Sequence, residues 1–113
     1  MTMCTMLELF KILSDKNRLR IIGLLSLRKL CVCELAYALD VTQPSISRHL
    51  KQMKKARLIE SEQDGFWTNY FLTPPAGVTG SILQLTIAEL KNDQCIVNDL
   101  KKVELADIAI LCK

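Results

Sequence analysis

Two cysteines separated by one residue, Cys31-Val32-Cys33, form the most chemically capable group in this 113-residue chain. Inside a regular helix, residues two apart point about 200° away from each other, so such a pair cannot chelate there. At the first residues of a helix, before regular geometry begins, both sulfurs can turn to one side. A helix N-terminus also favours the thiolate, the form that binds metals. Soft thiolates select soft, thiophilic species. Without such a ligand the pair is a redox dithiol or inert packing. Three further cysteines, Cys4, Cys95 and Cys112, make the total odd. No basic segment followed by an apolar core opens the chain, so no signal peptide is expected and the protein reads as cytoplasmic. A disulfide framework is therefore not expected. Cys95 and Cys112 are expected as small buried apolar side chains, and Cys4 as a terminal thiol.

A second group carries charge. Residues 11–57 hold eleven Lys/Arg against three acids, and residues 58–113 hold four against eight, so the formal net charge of +3 conceals a strongly basic first half. Val41–Arg57 contains Arg48, Lys51, Lys54, Lys55 and Arg57 and no acid. Such a stretch suits a polyanion, or is simply a solvated helix face. The remaining chemistry is sparse. One histidine cannot furnish a His-rich zinc site, and no nucleophile triad or Gly-rich phosphate loop is present, so an enzyme is not expected. A 5% aromatic content argues against a binder of single strands that works by base stacking. Apolar runs such as Ile21–Leu25 are far too short to span a bilayer.

Periodicity shows which elements must position these residues. Met6–Leu13 and Asn17–Leu27 place apolar residues at helical spacing. Cys33–Leu39 is a short helix ended by Asp40-Val41-Thr42. Thr42 can cap the next helix with its hydroxyl, and Pro44 sits in its first turn, where a missing N–H costs nothing. Ile46, Leu50 and Met53 form its core stripe. Gln43, Ser47, Arg48, Lys51, Gln52 and Lys55 fan out opposite, with Ser45 at the edge. Leu58–Glu62 and Trp67–Leu72 alternate as strands, with Gln63-Asp64-Gly65 expected as their turn. Helices resume near Gly77, with a break near Asn92-Asp93. A short helix, a three-residue turn and a polar-faced helix make a helix-turn-helix, and the hairpin after it makes a winged variant. Residues 1–113 thus read as one mainly helical winged domain with a small hairpin. Its polar helix suits base edges and phosphates in a duplex major groove.

The stretch CVCELAYALDVTQPSISRHL, residues 31–50, resembles the ArsR/SmtB family of bacterial metalloregulatory repressors. LSDKNRLRIIGLL upstream and Trp67–Leu72 downstream fit the same family. The resemblance implies a winged-helix homodimer, joined through its first and last helices, that binds double-stranded operator DNA. It places Gln43, Ser45, Ser47 and Arg48 at DNA-facing positions. His49 matches too, but flanks the apolar stripe, so it is either a phosphate contact or a packing histidine. Lys51, Lys54 and Lys55 are expected to neutralise phosphates. The wing departs from the family's commonly basic pattern. Its tip, Gln63-Asp64-Gly65-Phe66, is flanked by Glu60 and Glu62, so little DNA affinity is expected from it.

The arsenic-sensing branch is the nearest resemblance, and it implies As(III) or Sb(III) bound by Cys31 and Cys33. That branch often has a third cysteine where this chain has Ala36. Either two thiolates suffice, or Cys4 arrives from the N-terminal arm of the same or the partner subunit. The same fold sensing Cd or Pb, or oxidants, is the alternative effector reading. A small dithiol redox enzyme is the alternative of another class. Drawing Cys31 and Cys33 together should distort the helix that supports the recognition helix, so effector binding should lower DNA affinity.

Overall fold

The structure is a computed structural model, and it describes residues 3–106. Six helices enclose a small sheet: α1 (Met3–Leu13), α2 (Lys16–Leu25), β1 (Leu30–Cys31), α3 (Val32–Leu39), α4 (Gln43–Lys55), β2 (Ile59–Asp64), β3 (Trp67–Leu72), α5 (Gly77–Leu90) and α6 (Gln94–Leu105). The expected helices are present, including the break before α6. Three residues, Asp40–Thr42, separate α3 from α4, as the sequence predicts. Asp40 closes α3 in the left-handed conformation at φ 56°, which a short polar residue tolerates better than a branched one.

The start of α4 is set by Thr42. Its backbone is extended and its hydroxyl accepts the Ser45 N–H at 3.3 Å, with Pro44 in the first turn. Ile46, Leu50 and Met53 are buried, so the predicted stripe is the face that packs. After the helix, Arg57 takes φ 63°, while the Leu58 N–H donates to the Met53 carbonyl at 3.1 Å. This left-handed turn sends the chain directly into β2.

The sheet corrects two expectations. A third strand, β1, pairs antiparallel with β3, so the order is β1-β3-β2. The hairpin turn also lies further on than Gln63-Asp64-Gly65. Asp64 pairs with Trp67, leaving Gly65-Phe66 as a two-residue loop. Gly65 has φ 62° and Phe66 does not have a positive φ. That fits a II′-type hairpin turn, in which glycine takes the first central position.

Apolar residues of α1 to α5, β1, β2 and α6 share one core, with Ile21, Leu24, Leu30, Leu35, Ile46 and Leu83 fully buried. The C-terminal helices close it through tight contacts. A Cβ at Gly80 would lie 1.8 Å from the Pro75 carbonyl oxygen. The obstacle is backbone, so the helix cannot yield cheaply. Gly80→Ala is expected to destabilise the fold by about 2 kcal/mol despite alanine's better helix propensity, because overpacking outweighs the ~1 kcal/mol that propensity offers. Urea denaturation followed by circular dichroism checks this.

Candidate functional site

The polar face of α4 is exposed as the sequence predicts. Gln43, Ser47, Arg48, Lys51, Gln52, Lys54 and Lys55 are exposed, while Ser45 and His49 are half-buried. Two of these side chains are already engaged. The Gln52 amide oxygen accepts a hydrogen bond from Arg18 of α2. Lys54 Nζ donates to Ser61 Oγ at 2.8 Å and lies 3.8 Å from Glu60. Lys54 is thus turned towards the wing. Lys11 and Arg18 line one cleft together with Lys55 and Gln52, so the basic face extends onto α1 and α2. Helical periodicity alone does not show that extension, because it requires three helices to meet.

The wing carries less free negative charge than its sequence implies. Glu60 faces Lys54, and Glu62 Oε1 accepts from Lys29 Nζ at 2.7 Å. Lys29 also lies 5.0 Å from the centre of the Phe71 ring. These exposed pairs add little stability, but they cancel charge on the face that flanks α4.

Burial lowers the His49 pKa below the ordinary imidazole value. Arg18 and Arg48 push the same way, and Asp15 opposes them. The side chain is therefore uncharged at neutral pH. The folded state then disfavours the proton that the unfolded state binds. Stability is expected to be level above pH ~6.5, to fall as pH drops below that value, and to level off under the depressed folded pKa. In His49→Gln this slope should vanish from thermal melts taken across pH 5 to 8.

The two cysteines sit where sheet and helix-turn-helix join. Cys31 pairs with Asn69 of β3 as the last residue of β1, and is also the N-cap of α3. Its backbone N–H donates to Glu34 Oε1 at 3.0 Å, and its side chain accepts the Glu34 N–H in return, forming a reciprocal capping box. Glu34 is itself buried, with Oε2 3.6 Å from Arg28. The expected thiolate is not favoured at Cys31. The residue is 3% exposed, and burial pushes its pKa up. The Glu34 charge acts in the same direction, against backbone N–H groups that lower it. Desolvation wins over the helix terminus here.

Cys33 is half-buried in the first turn of α3. Both cysteines line one cleft of about 310 Å³ with Phe66, Trp67 and Tyr70 of the wing. The cleft's aromatic side went unnoticed in the sequence because β1, which carries Cys31 to the wing, is only two residues long. Cys4 is exposed on α1. Among the described residues no three His, Cys, Asp or Glu come together as a metal site. Cys95 is half-buried, its sulfur 3.9 Å from Asp99 Oδ2. It is therefore more polar in setting than the apolar packing expected of it. Cys112 lies outside the described residues.

Comparison with known proteins agrees with this arrangement. Residues 15–61 match the bacterial regulatory protein, arsR family. The chain is 42% identical over 99 residues to an arsenical resistance operon repressor of Escherichia coli, covering 85% of each. It is 42% identical over 64 residues to a cadmium resistance transcriptional regulatory protein of Listeria innocua, covering 56% of this chain and 54% of that one. In three dimensions it resembles reduced HlyU from Vibrio cholerae, with a TM-score of 0.66 and 22% identity. That match covers 80% of this chain and 92% of the other. The last similarity concerns the fold alone. Among the described residues, no helix is long and apolar enough to cross a membrane.

Proposed function

This chain belongs to the ArsR family of bacterial regulatory proteins, and on that premise we propose that it is a dimeric repressor released from operator DNA by As(III) or Sb(III). The family and the relatives above are transcriptional regulators rather than enzymes. One observation carries the effector reading. Cys31 is at once a sheet residue paired to the wing and the cap of α3, and α3 packs on α4. A ligand that draws Cys31 and Cys33 together therefore acts on the wing and on the support of α4 in a single movement. Ligand affinity that differs between the two arrangements then lowers DNA affinity. Binding requires both thiols reduced.

In this reading α4 enters the major groove. Arg48 and Gln43 face the bases, Ser45 and Ser47 stand beside them, and Lys51 and Lys55 neutralise phosphates. His49, uncharged at neutral pH, packs and adds no cationic contact. The dimer has an apolar surface to form on. Met3, Leu7 and Phe10 make an exposed stripe on α1, and Val78 and Leu85 are exposed on α5, which α1 touches. The described part of α6 turns instead to α2 and α3.

Fluorescence anisotropy on duplex DNA from the protein's own promoter, under reducing conditions, tests the proposal. The complex should form and arsenite should dissociate it. Release by cadmium but not by arsenite would favour the second reading, which the cadmium-resistance relative supports. Absence of any specific complex at low salt would overturn the repressor reading. Arg48→Ala is expected to weaken binding by about ten- to a hundredfold, and Lys51→Ala to weaken it less and lower the salt slope by about one.

A further inference from the structure

We propose that the cleft where α1, α2 and α4 meet grips a backbone phosphate of the duplex that α4 reads, and so supplies the contact that the acidic wing withholds. This extends the repressor reading and rests on it. The open cleft holds about 620 Å³. Lys11, Arg18, Gln52 and Lys55 line it, and Glu8 is the one acid on its walls among the described residues. Three helices thus bring three cations to one place. Arg18 is held towards α4 by its bond to the Gln52 amide oxygen. Its Nε is buried and meets no hydrogen-bond acceptor among the described residues, with Asp15 Oδ2 standing 3.9 Å away. The protein's own acceptors leave this guanidinium incompletely satisfied, the condition in which an external anion offering several oxygens is favoured.

Lys55 connects the cleft to the DNA-facing side. Arg48, Lys51 and Lys55 follow at i, i+3 and i+7 on the exposed side of α4, a run of about 10 Å along the axis. A helix with its side chains is about as wide as the major groove of B-DNA, roughly 10–12 Å. When the exposed side enters the groove, each flank of the helix therefore faces one phosphate wall. The two flanks of α4 differ. Lys54 points about 200° round the helix from Gln52, towards the wing, where its Nζ is bonded to Ser61 and lies beside Glu60. Glu62 on the same wing holds Lys29. On the other flank, Gln52 leads to Arg18 and then to Lys11. The cationic wall that a duplex meets is thus the one built by α1 and α2. Such a contact carries no base information. It adds affinity and fixes the angle at which α4 lies in the groove.

The test uses the full, reduced chain on its operator duplex and on an unrelated duplex, with anisotropy read from about 50 to 300 mM salt. Lys11 and Glu8 are exposed, so their variants do not threaten folding. Lys11→Gln is expected to weaken binding about three- to tenfold at the low-salt end, equally on both duplexes, with the gap closing as salt rises. Glu8→Gln is expected to tighten binding about two- to threefold under the same conditions. Methylphosphonate substitution, which neutralises one phosphate at a time, locates the contact. One phosphate in each half-site should matter to the wild type and not to Lys11→Gln. Wild-type affinity in Lys11→Gln, a loss that salt does not change, or no methylphosphonate position whose effect disappears in Lys11→Gln overturns the phosphate site, while operator binding leaves the repressor reading standing. Failure of the wild type to bind either duplex at low salt overturns both.

Discussion

Replacing Arg20 with alanine is expected to lower the unfolding free energy by about 3 kcal/mol, near the lower end for breaking a buried ion pair. The pair joins α2 to α6. Arg20 Nε donates to Asp99 Oδ2 and an Nη to Asp99 Oδ1, each at 2.8 Å, and a third N–H reaches Asn17 Oδ1 at 3.2 Å. The side chains are 16% and 3% exposed. Removing Arg20 leaves the Asp99 carboxylate buried beside Cys95, with its main cationic partner gone. For a domain of this size such a loss lowers Tm by roughly 10–15 °C. The lower end applies because Arg20 keeps some contact with water. A double replacement, Arg20→Met with Asp99→Leu, should recover most of the loss, since apolar substitutes for a buried pair are often neutral or better. Urea melts of the three variants decide it. A loss under about 1 kcal/mol in the single variant would mean the pair behaves as an exposed one.

That pair also bears on signalling. α6 packs on both α2 and α3, and α3 carries Cys33. The helix that holds the effector cysteines is therefore backed by a helix pinned through Asp99. Nothing in the sequence links residues 20 and 99. The pairing exists because Arg20, on the partly polar side of α2, meets the single acid that α6 buries.

What could be read beforehand follows a physical rule: periodic signals survive and long-range ones do not. The stripe of Ile46, Leu50 and Met53 specifies α4 because burial of one face decides its orientation. Thr42 and Pro44 mark its start for local reasons. The turn of the hairpin was displaced because Asp64-Gly65 is itself a common turn signal. Cross-strand pairing of Asp64 with Trp67 instead leaves Gly65-Phe66 at the tip. β1 is invisible to alternation at two residues and exists only through its pairing with Tyr70 and Asn69. The same pairing explains the error at Cys31. A cysteine at a helix start looks activated, but this one is also a strand residue and is buried by the wing it pairs with. The partners of Gln52 and Lys54 were hidden for the same reason, since they come from α2 and β2. DNA-facing positions were legible because a helix face can be counted. The cleft was not, because its aromatic wall arrives from residues more than thirty positions away.

Serine at position 31 is expected to leave the operator complex intact while raising the arsenite concentration needed for release at least a hundredfold, about 2.7 kcal/mol of effector binding. The substitution is clean for structural reasons. Serine is a good N-cap, and its oxygen can accept the Glu34 N–H that the sulfur now takes. The fold should lose little, and what disappears is the soft donor. Cys33→Ser should behave alike when its response to arsenite is compared with wild type under full reduction. Cys4→Ser supplies the contrast. Cys4 lies on α1 and joins no such cluster among the described residues, so a two-thiolate site predicts a response within about threefold of wild type. A loss as large as that of Cys31→Ser would instead bring Cys4 in from the partner subunit and make the site shared across the dimer. Wild-type release by Cys31→Ser and Cys33→Ser alike would remove the pair from the switch, whatever the state of Cys4. Because coupling between ligand and DNA is reciprocal, the operator should also weaken arsenite binding to the wild type and have no such effect on Cys31→Ser.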